Sequence, residues 1–184
     1  MLKKMLQNLV SKYVIDRLYS MAESLRADGT VQEALKIIDA TAASMGILDY
    51  KVQVFLPGQH DSARARAVEI SKLMQNPLGV THPDVKIIRI NLFRLSLNWR
   101  LGRKKKEEIL NKVQEVALHE FRHAKQFDWI DSNHPELRKK LFRRYTISAF
   151  NWRYWVNPLE KDARRYARTG EHVPFEVVFK DYLK

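Results

Sequence analysis

Apolar residues recur three and four positions apart over several long stretches of this chain and alternate with polar ones over a few short stretches, and these two periods lay out its elements. Leu2 to Arg26 reads as an amphipathic helix with Met5, Leu9, Val14, Leu18 and Met21 among its apolar positions, closed by the turn Ala27-Asp28-Gly29. A second helix follows. Thr30 with Glu33 has capping-box spacing, and Ala34, Leu35, Ile37, Ile38 and Ala42 supply a buried side up to Gly46.

Asp49 to Leu56 and Val85 to Leu92 alternate as strands. Ser62 to Met74 reads as a third strand from the early alternation of Ala and Arg, although Ala65 to Met74 also admit a helix. Asn76-Pro77-Leu78-Gly79 and His82-Pro83-Asp84 mark turns, and Asn98 to Lys106 reads as a basic connector. The longest helical pattern comes next. No Pro or Gly interrupts Lys104 to Trp129, where Ile109, Leu110, Val113, Val116, Ala117, Phe121, Ala124 and Phe127 recur at helical spacing. Asp131 to Pro135 then starts another helix, Glu136 to about Tyr145, and Asn157-Pro158 starts a last one that Gly170 can end.

Helices, then bunched strands, then helices predict an α+β fold. The expected organisation is one domain over residues 1–184: a helical segment at 1–46, then at 49–184 a small, mostly antiparallel sheet, a central helix and a C-terminal helical part. A composition of 45% hydrophobic and 29% charged residues suits an ordinary globular chain and gives no sign of disorder.

The central helix changes the picture, because it carries His119, Glu120 and His123 in the spacing H-E-x-x-H. Residues four apart on a helix stack on one face, so two imidazoles reach one metal ion together, while Glu120, one residue round, can touch a metal-bound water without being a ligand. With no cysteine in the chain, thiolate ligands and disulfides are excluded and a zinc ion has to be held by His, Glu or Asp. A catalytic zinc needs a third protein ligand. The leading candidate is Glu160, in the first turn of the last helix, where Ala163 and Ala167 would let that helix approach closely. Its spacing from Asn157 also fits a capping box. Asp162, about 200° round the same helix, and His134 follow as alternatives.

H-E-F-R-H followed by Pro-Leu-Glu-x-Asp-Ala-Arg-Arg-Tyr-Ala resembles the gluzincin branch of the zincin metallopeptidases, especially small bacterial and phage-type members whose second motif reads E-x-x-A or P-x-E-x-E-A. The likeness runs from Val85 to Arg168. It implies a zincin-like fold, one Zn2+ held by His119, His123 and Glu160, Glu120 as general base, and a protein or peptide substrate. Many gluzincins place an Asp four residues after the glutamate ligand to support a histidine; this chain has Arg164 there. Tyr154, Tyr166 and His172 are candidates for stabilising the oxyanion.

The net charge of +12 points separately to an acidic partner, either an acidic protein or a nucleic acid. Arg100 to Lys106, the basic residues from Arg138 to Arg144, and Phe150, Trp152, Tyr154 and Trp155 would supply such a surface, so the alternative to an enzyme is a binding module on a zincin-like scaffold without catalysis. Lys12, Asp16 and Arg17 interrupt the N-terminal apolar positions, which excludes a signal peptide or membrane span there and makes a cytoplasmic location the expectation.

Overall fold

The computed structural model describes residues 2–47, 49–58, 62–100, 105–148 and 157–183, with the backbone alone described at 2–12, 63–64, 98–100 and 142–148. The elements are α1 (Leu2–Ala27), α2 (Thr30–Ser44), β1 (Lys51–Val54), α3 (Ala63–Gln75), β2 (Gly79–His82), a 3₁₀ turn (Pro83–Val85), β3 (Ile87–Ile90), α4 (Leu92–Arg100), α5 (Lys106–Asn133), α6 (Pro135–Ser148), α7 (Pro158–Thr169) and α8 (Phe175–Val178). The fold is α+β and mostly helical, with one three-stranded sheet. No helix among the described residues is long and apolar enough to cross a membrane.

The sheet is mixed rather than mostly antiparallel. Its order is β1-β3-β2, with β3 parallel to β1 and antiparallel to β2, so that Ile88 stands opposite both Val52 and Thr81. The cause is the segment expected as a strand at Ser62 to Met74, which is instead α3. Ser62 caps it by accepting a hydrogen bond from the Ala65 amide at 3.1 Å, and a local cap of this kind outweighs a short alternating run. Parallel strands need a long crossover, and α3 supplies part of it between β1 and β3.

Two further elements differ from expectation. β2 takes four residues, Gly79 and His82 from the two turn signals and the pair between them, too short a run for alternation to register. The pattern Val85 to Leu92 divides into β3 and the start of α4 because the buried Asn91 ends the strand, accepting a hydrogen bond from the Arg94 amide at 2.9 Å and donating to Leu73 O at 2.7 Å. Most of the expected basic connector is thus the end of α4 or lies outside the described residues. At the start of α2, Glu33 does not complete a capping box. Gly29, at φ 76°, turns the chain, Asp28 accepts from the Thr30 amide at 3.0 Å, and Glu33 pairs with Lys106 at 2.7 Å.

Helix α5 is the axis of the molecule, packed along α2 on one side and α7 on another, and touching β2, β3, α4 and α6. Its apolar face closes two cores. Val113, Ala117 and Phe121 meet Ile38 of α2 and Ile88 and Ile90 of β3, whereas Phe127 and Ile130 meet Leu141, Leu159, Phe175 and Phe179. Burying large apolar side chains stabilises by about 1.5–3 kcal/mol each, so the middle of α5 is held from both ends. The H-E-x-x-H sequence lies between those two cores.

Candidate metal centre

His119 and His123 project from α5 toward the first turn of α7. Asn157 caps α7 by accepting from the Leu159 amide at 3.0 Å, Pro158 occupies the first turn, and Gly170 ends the helix in the left-handed region at φ 70°. This fixes the rotation of α7 so that Glu160 faces α5. The imidazole rings stand perpendicular, at a 90° interplanar angle, and their Nε2 atoms approach to 3.1 Å. Glu160 Oε2 lies 3.3 Å from His119 Nε2, and Oε1 lies 3.4 Å from His123 Nε2.

These three separations match those of ligand atoms gathered about one ion. Donors held tetrahedrally at about 2.0–2.1 Å from one ion stand roughly 3.3 Å from one another. The group His119, His123 and Glu160 can therefore hold a metal ion. Burial strengthens the case: His123 is 0% and Glu160 2% exposed, and Glu160 Oε2 has no hydrogen-bond partner among the described residues. Carboxylate oxygens are seldom left so in the interior.

The protonation pattern follows from Gln126, three residues beyond His123 on the same face of α5. Its Nε2 donates to Leu159 O at 3.0 Å and to Asp162 Oδ2 at 2.8 Å, two groups that only accept, so its Oε1 has to face His123 Nδ1, 2.7 Å away. Nδ1 of His123 then carries the proton, and the lone pair of the neutral ring points from Nε2 into the meeting place of the three side chains. A buried point ringed by acceptors needs a cation. Without a metal a proton partly fills that need. Burial pushes the pKa of His123 down, but the Glu160 carboxylate, and more weakly Glu120, bring it above the ordinary imidazole value. Burial likewise pushes Glu160 up, and the two imidazoles more than reverse it, holding this carboxyl well below the usual range.

Asp162 is not a ligand. It receives Arg122 Nε at 2.7 Å and Nη2 at 3.2 Å as well as Gln126, and Arg122, itself fully buried, also donates to Val173 O at 2.7 Å. The guanidinium is flanked by the rings of Phe175 at 4.2 Å and Tyr166 at 5.1 Å. Arg122, Asp162 and Gln126 thus form a buried chain that ends on His123. In place of an acid four residues after Glu160, the support comes from one two residues after it, acting through Gln126. His134 sits at the end of α5 against Glu136 and Trp129, away from the site. Tyr166 is engaged with Arg122, His172 lies near Phe175, and Tyr154 falls outside the described residues.

Glu120 is 4% exposed and lies against β2. Thr81 Oγ1 donates to Glu120 Oε2 at 2.8 Å and, as an alternative acceptor, to the Glu120 carbonyl at 2.9 Å. Gly79 makes room for it: a Cβ at that position would stand 2.6 Å from Glu120 Oε1 and 2.8 Å from Val116. A cleft of about 400 Å³ opens beside these groups, bounded by Leu78 and Gly79 of the β2 side, His119 and Glu120 of α5, and Arg164 and Arg168 of α7. Sequence reasoning missed Gln126, Thr81 and Gly79. Gln126 had a signal in its spacing from His123; Thr81 and Gly79 acquire their roles only through the packing of β2 on α5.

Of the residues expected to form a nucleic-acid surface, Arg138 is tied to Asp84 and Asp131 and stacked over Phe127, and Lys140 lies over Tyr182. Phe150, Trp152, Tyr154 and Trp155 fall outside the described residues, as do the side chains of Arg143 and Arg144. Comparison of the chain with family models, with curated proteins and with solved structures gives no match.

Proposed function

We propose that this protein is a zinc-dependent metallopeptidase of zincin-like design, with His119, His123 and Glu160 as ligands and Glu120 as general base. The observation that carries this reading is the convergence of three donor atoms at tetrahedral separations, those of the buried His123 and Glu160 and of the half-buried His119, with a carboxylate on the neighbouring helix position lining an open cleft. Two imidazoles and one carboxylate, without thiolates, form a donor set suited to zinc, and three protein ligands leave a fourth position for water or substrate.

When bound, the ion would supply Lewis acidity that polarises a carbonyl and acidifies water. The chain's own residues do the rest. The Thr81 hydroxyl holds Glu120 Oε2, so that Oε1 is oriented to accept a proton from water and deliver it to the departing amine. Gln126 keeps the proton of His123 on Nδ1 and its Nε2 lone pair inward. The strand β2, at the edge of the sheet among the described residues, borders the cleft through Gly79, and a sheet edge suits an extended peptide, which supports a peptide rather than a small-molecule substrate.

Metal analysis and peptidase assays on Glu120→Gln test the reading. The variant is expected to keep one zinc per chain and to lose hydrolysis. Wild-type cleavage by this variant would remove Glu120 from its role, and full zinc occupancy in both His119→Ala and His123→Ala would dispose of the site.

A further inference from the structure

The cleft beside the three ligands is lined by cations from three elements: Arg94 of α4, Lys112 of α5, and Arg164 and Arg168 of α7. Among the described residues that line the cleft, carboxylates offset only part of this charge. Glu115 is paired with Lys112 one turn away, and Glu120 is held by Thr81. The acids of α7 itself are each 2% exposed and committed elsewhere, Glu160 to the two histidines and Asp162 to Arg122. Among the described residues, three arginines thus line the same cleft as the Glu120 carboxylate before any metal charge is added. Their mutual repulsion is offset by an anion entering the cleft.

The placement on α7 is ordered. Glu160, Arg164 and Arg168 follow at intervals of four, so the two guanidiniums continue along the same helix face away from the ligand. Arg94 approaches from α4, donating to Asn76 O while keeping further N–H groups available. Guanidiniums pair with carboxylates in a planar, two-pronged fashion that ammonium groups do not match.

We propose that this cleft selects peptides carrying acidic side chains beside the cleaved bond, with Arg164 and Arg168 as the chief recognition residues and Arg94 across from them; this rests on the hydrolase reading above. A peptide is favoured over a nucleic acid because, among the described residues, these cations gather round one cleft instead of forming a stripe that tracks successive phosphates, and Arg138 is already paired with Asp84 and Asp131.

The test uses the full-length, zinc-loaded Glu120→Gln protein and two fluorescent peptides that differ only in Glu against Gln, compared by anisotropy at physiological salt. The Glu peptide is expected to bind at least about tenfold tighter. Arg168→Gln, at an exposed position, and Arg164→Gln should each remove most of that preference, while Lys139→Gln on α6 should not. Equal binding of the two peptides overturns the proposal, as does an equal loss in Lys139→Gln, which would reduce the effect to net charge. An oligothymidylate that displaces the Glu peptide at lower concentration reassigns the cleft to nucleic acid. Wild-type cleavage of both peptides at one rate defeats the acidic preference and leaves the peptidase standing. Arg-dependent binding of the Glu peptide without any cleavage by the wild type defeats the peptidase and leaves the preference standing.

Discussion

Gln126 accepts a hydrogen bond from His123 Nδ1 at 2.7 Å while both hydrogens of its amide are committed to Leu159 O and Asp162. The orientation of the amide is thereby decided by its acceptors, and it in turn decides which nitrogen of His123 faces His119 and Glu160. Gln126→Leu keeps the approximate volume and removes this control. Its zinc affinity, measured by competition with a chromophoric chelator, should fall about 10–100-fold. Unchanged affinity would show that His123 is positioned by packing alone.

Gly79 leaves space for Glu120 that no other residue would leave. In Gly79→Ala the new methyl would overlap Glu120 Oε1 and Val116, so the Glu120 carboxylate has to leave its place beside Thr81. Loss of at least about a hundredfold in kcat with zinc still bound is the expected outcome, in line with removal of a general base. Near-normal turnover would count against Glu120 acting from this position.

The two buried acids of α7 should separate in their effects. Glu160→Gln is expected to abolish tight zinc binding, because it weakens a direct donor. Asp162→Asn should leave zinc bound more weakly but lower stability by a few kcal/mol, since it strands the fully buried Arg122. Breaking one partner of such a pair costs about 3–5 kcal/mol, and replacing both Arg122 and Asp162 by apolar residues should recover part of it. Chemical denaturation alongside zinc titration distinguishes the two acids. A larger loss of zinc affinity in Asp162→Asn than in Glu160→Gln would exchange their roles.

The site also predicts how metal stabilisation depends on pH. In the metal-free protein the raised His123 contributes stability that is complete below the ordinary imidazole value of 6.5 and is lost as pH rises through its higher folded value. The depressed Glu160 contributes stability that is complete above the ordinary value of 4.5 and is lost only as pH falls through its lower folded value. Between those ordinary values a proton partly substitutes for the ion; at higher pH it leaves, and at lower pH it competes. Zinc should therefore raise the melting temperature more at about pH 8 than at about pH 6. The opposite order, measured by scanning fluorimetry with and without chelator, would argue that the ion does not bind here.

Periodicity was informative where elements were long. The central helix needed no tertiary information, since more than six turns of apolar spacing without Pro or Gly leave few alternatives, and Asn157-Pro158 with Gly170 marked both ends of α7 by chemistry local to the backbone. Short elements were different. The four residues of β2 and the division of β3 from α4 at Asn91 are too brief for a period to emerge, and the Ala-Arg alternation that opens α3 mimicked a strand until the Ser62 cap is counted.

The candidate ligands were visible because a helix imposes its own geometry: His119 and His123 share a face whatever surrounds them. The sequence by itself therefore determined a two-histidine face, its adjacent carboxylate, the absence of thiolate ligands and an excess of positive charge. Which distant acid faces that pair, that Asp162 acts through Gln126, that Thr81 and Gly79 hold and accommodate Glu120, and that Arg164 lines a cleft, were decided by the packing of α7 and β2 on α5. Those relations join residues some 30 to 50 positions apart, and no local backbone rule spans that distance.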